Sequence, residues 1–215
     1  MDIEKRENLK EVIEWVICIA IAVILALLVR HFVFTPTVVR QVSMKPTMQQ
    51  SDRLILDRWS ITTKKEIKRG EIITFEAPSI TNSAISKLSR ENPVATYDNQ
   101  PTGVFSKFIY YVLESTKTSY IKRVIGVAGD HILIQDGKVY LNGELLQEDY
   151  LSSDVRTERT GLIYDIVVPE GYVFAMGDNR TESMDCRAFG CIPLSKVESK
   201  VWIRFWPFDK FGGVE

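Results

Sequence analysis

Three short blocks of this 215-residue chain hold residue types that can do chemistry at a carbonyl. In Ser43-Met44-Lys45-Pro46-Thr47 a serine stands between an extended run, residues 37–42, and a proline-fixed turn, the setting of an exposed nucleophile. A serine ahead of a proline turn also serves as a plain turn residue. The second block, Tyr120-Ile121-Lys122-Arg123-Val124-Ile125-Gly126, reads as a strand. Side chains alternate along a strand, so Tyr120, Lys122 and Val124 share one face and Ile121, Arg123 and Ile125 the other. A lysine flanked on its own face by Tyr and Val loses solvent, which disfavours the ammonium and lowers its pKa. A fall from ~10.4 to about 8 costs ~3 kcal/mol and yields a usable general base. The plain alternative is a lysine that snorkels from a sheet edge. The third block runs from Gly177 to Gly190, with Asp178, Asn179, Arg180, Glu182, Ser183, Asp185 and Arg187 between. Such a loop is held by side-chain hydrogen bonds and ion pairs, and part of it is a structural turn.

Composition limits what can assist these groups. The chain has two histidines, His31 and His131, and three cysteines, Cys18, Cys186 and Cys191. A multi-histidine metal centre, most Ser-His-Asp arrangements, a four-cysteine zinc site and a disulfide framework are therefore not expected. Neither a metal nor a cofactor is called for. Lys plus Arg number 27 against 28 Asp plus Glu, a net charge of -1, which is not the balance of a dedicated nucleic-acid binder.

The elements that must position the blocks are mostly strands. Residues 53–56, 71–75 and 120–125 are short β-branched runs bounded by turn residues. Residues 131–135 and 138–141 flank Asp136-Gly137, a two-residue hairpin turn, and Asn142-Gly143 starts another turn directly after. Residues 164–168, 172–176 and 201–205 complete a strand-rich inventory. Close spacing with short turns predicts an antiparallel, mainly β fold, not a parallel α/β one. Residues 77–119 break the pattern: a Ser, Thr, Asn and Pro-rich insertion ends in an amphipathic helix. There Phe105, Phe108, Ile109 and Val112 fall at i, i+3, i+4 and i+7 spacing. That stripe is expected to pack on the sheet, with the bilayer surface as the alternative.

Ahead of all this lies one apolar stretch, residues 12–34. Its 23 positions span about 35 Å as a helix, against about 30 Å of hydrocarbon. Phe34-Thr35-Pro36-Thr37 offers no small-x-small cleavage site, so the stretch reads as an uncleaved membrane anchor after an eleven-residue tail. Lys5, Arg6 and Lys10 precede it and Arg30, Arg40 and Lys45 follow, so charge does not choose an orientation. Residues 40–69 carry eight basic and three acidic side chains, an excess able to rest on anionic head groups or to stay solvated.

Taken in order, these blocks resemble the bacterial type I signal peptidases, membrane-bound Ser/Lys endopeptidases, with connections like those of the Gram-positive branch. The likeness covers the anchor, Ser43-Met44-Lys45-Pro46-Thr47, Asp52-Arg53-Leu54, Lys122-Arg123-Val124-Ile125-Gly126 with Gly129-Asp130, the Gly177–Gly190 loop and Arg204-Phe205-Trp206-Pro207. The resemblance implies two antiparallel β-sheets forming a catalytic domain, residues 35–215, outside the cytoplasmic membrane, with the tail, residues 1–11, inside. It implies Ser43 as nucleophile and oxyanion donor through its backbone N–H, Lys122 as general base, and Ser183 as the hydroxyl that orients Lys122. Asp178, Arg180, Asp185 and Arg187 would hold the wall of the site. A secretory preprotein would pair as an added strand with Gln41, Val42 and Tyr120. Val39, Met44, Met48, Tyr120 and Ile121 would line shallow pockets that admit Ala one and three residues before the cut. The lipid bilayer is the other implied partner, nucleic acid is not one, and the enzyme is expected to be a monomer.

Several positions depart from the family pattern. Gln41 stands where some relatives place Ser or Gly, Ala128 replaces a usual Pro, and Glu182 and Cys186 replace a common Asn and Ser. Cys186 and Cys191 read as free thiols, a small disulfide being the alternative. The insertion at 77–119 is longer than the resemblance leads one to expect. Two other readings stand beside this one. A self-cleaving Ser/Lys repressor-type protease would be soluble and carry a DNA-binding module in place of the anchor. A catalytically inactive signal-peptidase-like membrane protein assisting surface-protein assembly would not need both Ser43 and Lys122.

Overall fold

The computed structural model describes residues 3–98 and 100–214, with side chains from Asn8 onward. The first helix, α1 (Ile3–Phe32), contains no Gly or Pro, and its apolar part, Asn8–Phe32, is long enough to cross a bilayer. The expected eleven-residue tail lies partly outside the described residues; from Ile3 it continues the helix. α1 stops two residues short of the apolar stretch because Pro36 biases the chain before it to extended backbone. Phe34 therefore opens a strand, β1 (Phe34–Val38).

The last carbonyls of an α-helix have no partner within it. In α1 they are taken by the domain that follows. Thr35 Oγ1 donates to Arg30 O at 2.7 Å, Arg58 Nη1 to His31 O at 3.4 Å and Thr62 Oγ1 to Phe32 O at 3.2 Å. The backbone N–H groups of Arg58 and Trp59 both donate to Val33 O. Arg58 also pairs with Glu114 at the end of the insertion.

Chain order continues through β2 (Arg53–Asp57), α2 (Trp59–Thr62) and β3 (Ile72–Glu76) to α3 (Asn82–Ser86) and α4 (Val104–Phe108). β4 (Ser119–Val127), β5 (His131–Gln135), β6 (Lys138–Leu141), β7 (Glu144–Leu145), β8 (Asp165–Val167) and β9 (Tyr172–Met176) follow. α5 (Cys186–Phe189), β10 (Ile192–Pro193), β11 (Val197–Trp206) and β12 (Gly212–Gly213) close the chain. The fold is mainly β, as expected. One sheet has the order β1-β2-β11-β3-β4-β9-β10, with β12 on β11, and the other the order β7-β6-β5-β8. Every strand pair in them is antiparallel. The Asp136-Gly137 and Asn142-Gly143 turns have φ of 54° and 77°, and 53° and 87°, the positive pairs that tight hairpins require.

Ile132, Ile134 and Val139 from the second sheet pack with Val124, Phe174 and Met176 from the first in the main core. A smaller core of Val39, Met44, Met48, Leu54, Leu56 and Ile72 lies under the Ser43 turn. The insertion is tied to the large sheet by a parallel bridge of Val94 to Cys191 and by Glu76, which accepts from Gln100, Tyr110 and Lys196. The amphipathic helix does not pack as its spacing suggests. α4 passes into a π-helical turn, Ile109–Leu113, which shifts the register. Tyr110 and Tyr111 meet the molecule through their hydroxyls, while Phe105 and Phe108 stay exposed.

Candidate active site

β4 carries Lys122 from the middle of the large sheet toward the Ser43 turn. Its ammonium donates to Ser43 Oγ at 2.8 Å and to Ile121 O at 3.0 Å. Lys122 is 1% exposed and Ser43 8%. The alternation along β4 holds: Lys122 lies 5.3 Å from the Tyr120 ring centroid, and Val124 on the same face is buried. Loss of solvent pushes the lysine pKa down to about 8, against the pull of Asp185, Cys186 and Asp178. A lysine so placed is partly neutral near pH 7, and its lone pair can then accept the Ser43 proton. Acid–base activation of a serine hydroxyl is the chemistry this pair can perform.

The Ser43 turn is held on both sides. Lys45 N donates to Val42 O and Met48 N to Met44 O, closing the turn through Pro46. Asn179 donates to it twice, from its backbone to Ser43 O at 3.0 Å and from Nδ2 to Val42 O at 3.2 Å. The third block can come this close because residue 177 is glycine. A Cβ there would stand 2.4 Å from Ser43 O and 2.2 Å from Ser183 Oγ. Among the described residues the Ser43 N–H has no acceptor, so it is available to a developing oxyanion.

Three buried ion pairs make the wall. Arg123, on the face of β4 opposite Lys122, grips Asp178 with Nε and Nη2 at about 3 Å. Arg187 binds Asp185 through two bonds of 2.8 Å, and Asp185 accepts the Gly177 N–H at 3.1 Å. Arg180 reaches Glu148, Thr157 and Gly177 O. Breaking one such pair would leave a buried charge unmatched, at about 3–5 kcal/mol.

Most of the residues singled out in the sequence come together here: Ser43, Lys122, Asp178, Arg180, Asp185 and Arg187 are all buried within one cluster. Ser183 sits beside it, but its hydroxyl has no hydrogen-bond partner and makes no bond to Lys122. Val39, Gln41, Met44 and Ile121 line a groove of about 760 Å³ that leads to Ser43. Met48 does not; it is wholly buried in the small core. Tyr120 packs on the main core, and Val42 and Tyr120 lie outside the groove lining. Cys186 and Cys191 are free and buried, and Cys186 Sγ accepts the Ala175 N–H.

Thr47, Arg123, Gly177 and Asn179 stood in the three blocks without a role of their own, and Thr47 donates to Asp178; Glu148 and Tyr150, around Arg180, lay outside the blocks altogether. Arg123 had a signal. A strand with basic residues on both faces must bury at least one of them, and a buried guanidinium needs a carboxylate. Glu148 had none, since nothing local ties it to Arg180.

β4 outruns its neighbour. At Arg123 it pairs with both β3 and β9 and beyond it with β9, but residues 119–122 pair with β3 alone. Their free edge faces the groove, whose other lining includes Arg30 at the end of α1 and residues 113–115 of the insertion. A separate cleft of about 790 Å³ around Arg69, Glu71 and Lys200 includes neither Ser43 nor Lys122.

A buried serine–lysine contact at the end of an open strand edge, on antiparallel sheets, is the architecture of a β-sheet peptidase. A family model described as signal peptidase, peptidase S26, matches residues 12–206, and the chain belongs to that family. It is accordingly a peptide-bond hydrolase, as the motif resemblance implied. Signal peptidase I of Bacillus licheniformis is 32% identical over 215 residues, covering 96% of each chain. Signal peptidase IB of Staphylococcus aureus (strain COL) is 28% identical over 216 residues, 94% of this chain and 93% of that one. A crystal structure of a signal peptidase I from Enterococcus faecalis V583 aligns with 63% of this chain and 97% of its own, at 25% identity and a TM-score of 0.38.

Proposed function

We propose that this chain is a monomeric, membrane-anchored endopeptidase that removes N-terminal signal peptides from secretory preproteins after an Ala-x-Ala-like site, with Ser43 as nucleophile and Lys122 as general base. The observation that carries the proposal is the 2.8 Å contact between Lys122 Nζ and Ser43 Oγ inside a site where Lys122 has almost no access to water. The same contact favours an active enzyme over an inactive, assembly-assisting relative. α1 serves as the single bilayer span, with the N-terminus cytoplasmic and the sheets outside.

The substrate adds as a strand between the free edge at residues 119–122 and the segment 39–42, where main-chain bonds give affinity and alternate side chains give specificity. Val39, Met44 and Ile121 leave shallow apolar room suited to alanine. Neutral Lys122 takes the Ser43 proton as Oγ attacks the scissile carbonyl, and the Ser43 N–H stabilises the oxyanion. The new ammonium returns that proton to the leaving amine as the C–N bond breaks. A water, deprotonated by Lys122, then attacks the acyl ester; as the bond from the carbonyl carbon to Ser43 Oγ breaks, the ammonium returns the proton to Oγ, which restores both groups. Charged or neutral, Lys122 keeps one N–H that Ser43 and Ile121 do not use, and Ser183, whose buried hydroxyl is otherwise unpartnered, can accept it. No metal or cofactor enters these steps.

Purified protein in detergent should cleave a precursor with an Ala-x-Ala site, and Ser43→Ala and Lys122→Ala should each abolish cleavage. Normal processing by Ser43→Ala would end this mechanism.

A further inference from the structure

The insertion, residues 77–119, has no part in the chemistry above, yet it carries Val104 and Phe105, which are among the most exposed apolar side chains described. Val104 is 88% exposed, Phe105 75% and Phe108 46%, and they fall on one stripe of the helical segment 104–113 with Lys107 beside them. The opposite side is fixed: Tyr110 and Tyr111 reach Glu76 and Gln100, so the stripe cannot rotate inward. Contiguous exposed apolar surface of this kind marks a contact surface.

Its position says which contact. The segment ends at Leu113-Glu114, Glu114 pairs with Arg58, and Arg58 donates to His31 O in the last turn of α1. Trp59, its side chain also exposed, donates its backbone N–H to Val33 O at the same junction. Ten helical residues reach only about 15 Å, so the stripe lies within that distance of the point where α1 meets the domain. Aromatic and aliphatic side chains with one lysine, held beside an emerging span, have the composition of an interfacial helix.

We infer that the 104–113 segment is a second membrane contact, seated in the head-group zone with Val104, Phe105 and Phe108 toward the acyl chains. This rests on the reading of α1 as a bilayer span. The partner is lipid, and neither a second copy nor another protein is required.

Nitroxide labels placed at Val104→Cys and Phe105→Cys, each in a Cys18→Ser background, test it in the full chain. The protein is reconstituted in phosphatidylethanolamine–phosphatidylglycerol vesicles, and collisions with oxygen and with a nickel chelate are compared. Cys186 and Cys191 are buried and remain unlabelled. Val167→Cys, exposed on the second sheet, is the aqueous reference. Both insertion labels should show an oxygen-to-nickel ratio well above the reference, since a side chain buried below the head groups meets oxygen dissolved among the acyl chains and is shielded from the water-soluble chelate. A ratio equal to the reference would overturn the inference, as would broadening between labels that reveals a second copy on the stripe. A label on native Cys18 reports separately whether α1 is in lipid, so failure of the anchor reading is seen on its own. Peptide cleavage by each labelled variant in detergent verifies that it is folded.

Discussion

Lys122→Met removes the amine while keeping an unbranched chain of similar length in the same space. The lysine is protonated in the unfolded chain up to its ordinary pKa of 10.5 and in the folded one only up to about 8. Between these values the unfolded chain binds more protons, so wild-type stability rises with pH across that window. At pH 7 the folded protein carries the full burden of the ionisable group, 2.5 pH units or about 3 kcal/mol; at pH 10 about 1 kcal/mol is left. Methionine avoids that cost but gives up the bonds to Ser43 and Ile121, worth together about 1 kcal/mol. The variant should therefore be inactive yet more stable than wild type by about 2 kcal/mol at pH 7, a rise in Tm of about 4–8 °C, with the advantage gone by pH 10. Thermal unfolding in detergent at the two pH values measures it. A variant less stable than wild type at pH 7, or a gap that does not shrink with pH, would refute the argument that desolvation sets the state of this lysine.

Cleavage rate should climb about tenfold per pH unit below the Lys122 pKa of about 8 and level off above it; a profile flat from pH 6 to 9 would remove Lys122 as the base. Asp178→Asn should cost about 3–5 kcal/mol in urea unfolding by leaving Arg123 buried without its counter-charge, and a paired Arg123→Met, Asp178→Leu exchange should recover most of it. Gly177→Ala should push the Ser43 turn away and lower kcat/KM by about a hundredfold, while the melting curve stays cooperative. Ser183→Ala should lower kcat and move the pH profile upward, leaving KM nearly unchanged. A Ser183→Ala profile identical to wild type would show that the hydroxyl does not touch the amine.

What could be read beforehand was whatever had a local cause. The turn pairs Asp136-Gly137 and Asn142-Gly143 demand positive φ, and alternation along residues 120–125 placed Lys122 with Tyr120 and Val124. Both follow from neighbours in sequence, and both are as the structure has them. The order of strands in the large sheet is not local: β11 sits between β2 and β3, some 140 residues after the first of them. Glu148, which holds Arg180, was equally hidden, since only the closed fold brings it near. The insertion misled for a different reason. Its helical spacing was correct as far as Phe108, but spacing reveals that a stripe is apolar, not which phase faces the sheet. The Tyr110 and Tyr111 hydroxyls decided that by finding Glu76 and Gln100.

The junction at the end of α1 bears on how this enzyme would choose where to cut. A loosely tethered hydrolase could sample many heights above the lipid and would clip any accessible alanine-rich site. Here the carbonyls of Arg30, His31 and Phe32, and that of Val33 just beyond, are all gripped by β1, Arg58 and α2, so the helix end is bonded to the sheets and not hung from a free linker. With α1 as the proposed bilayer span, the reactive oxygen would ride at a constant elevation over the membrane. On that proposal a scissile bond must rise to that level to be cut, which would make the protein a ruler measuring outward from the bilayer as well as a reader of side chains.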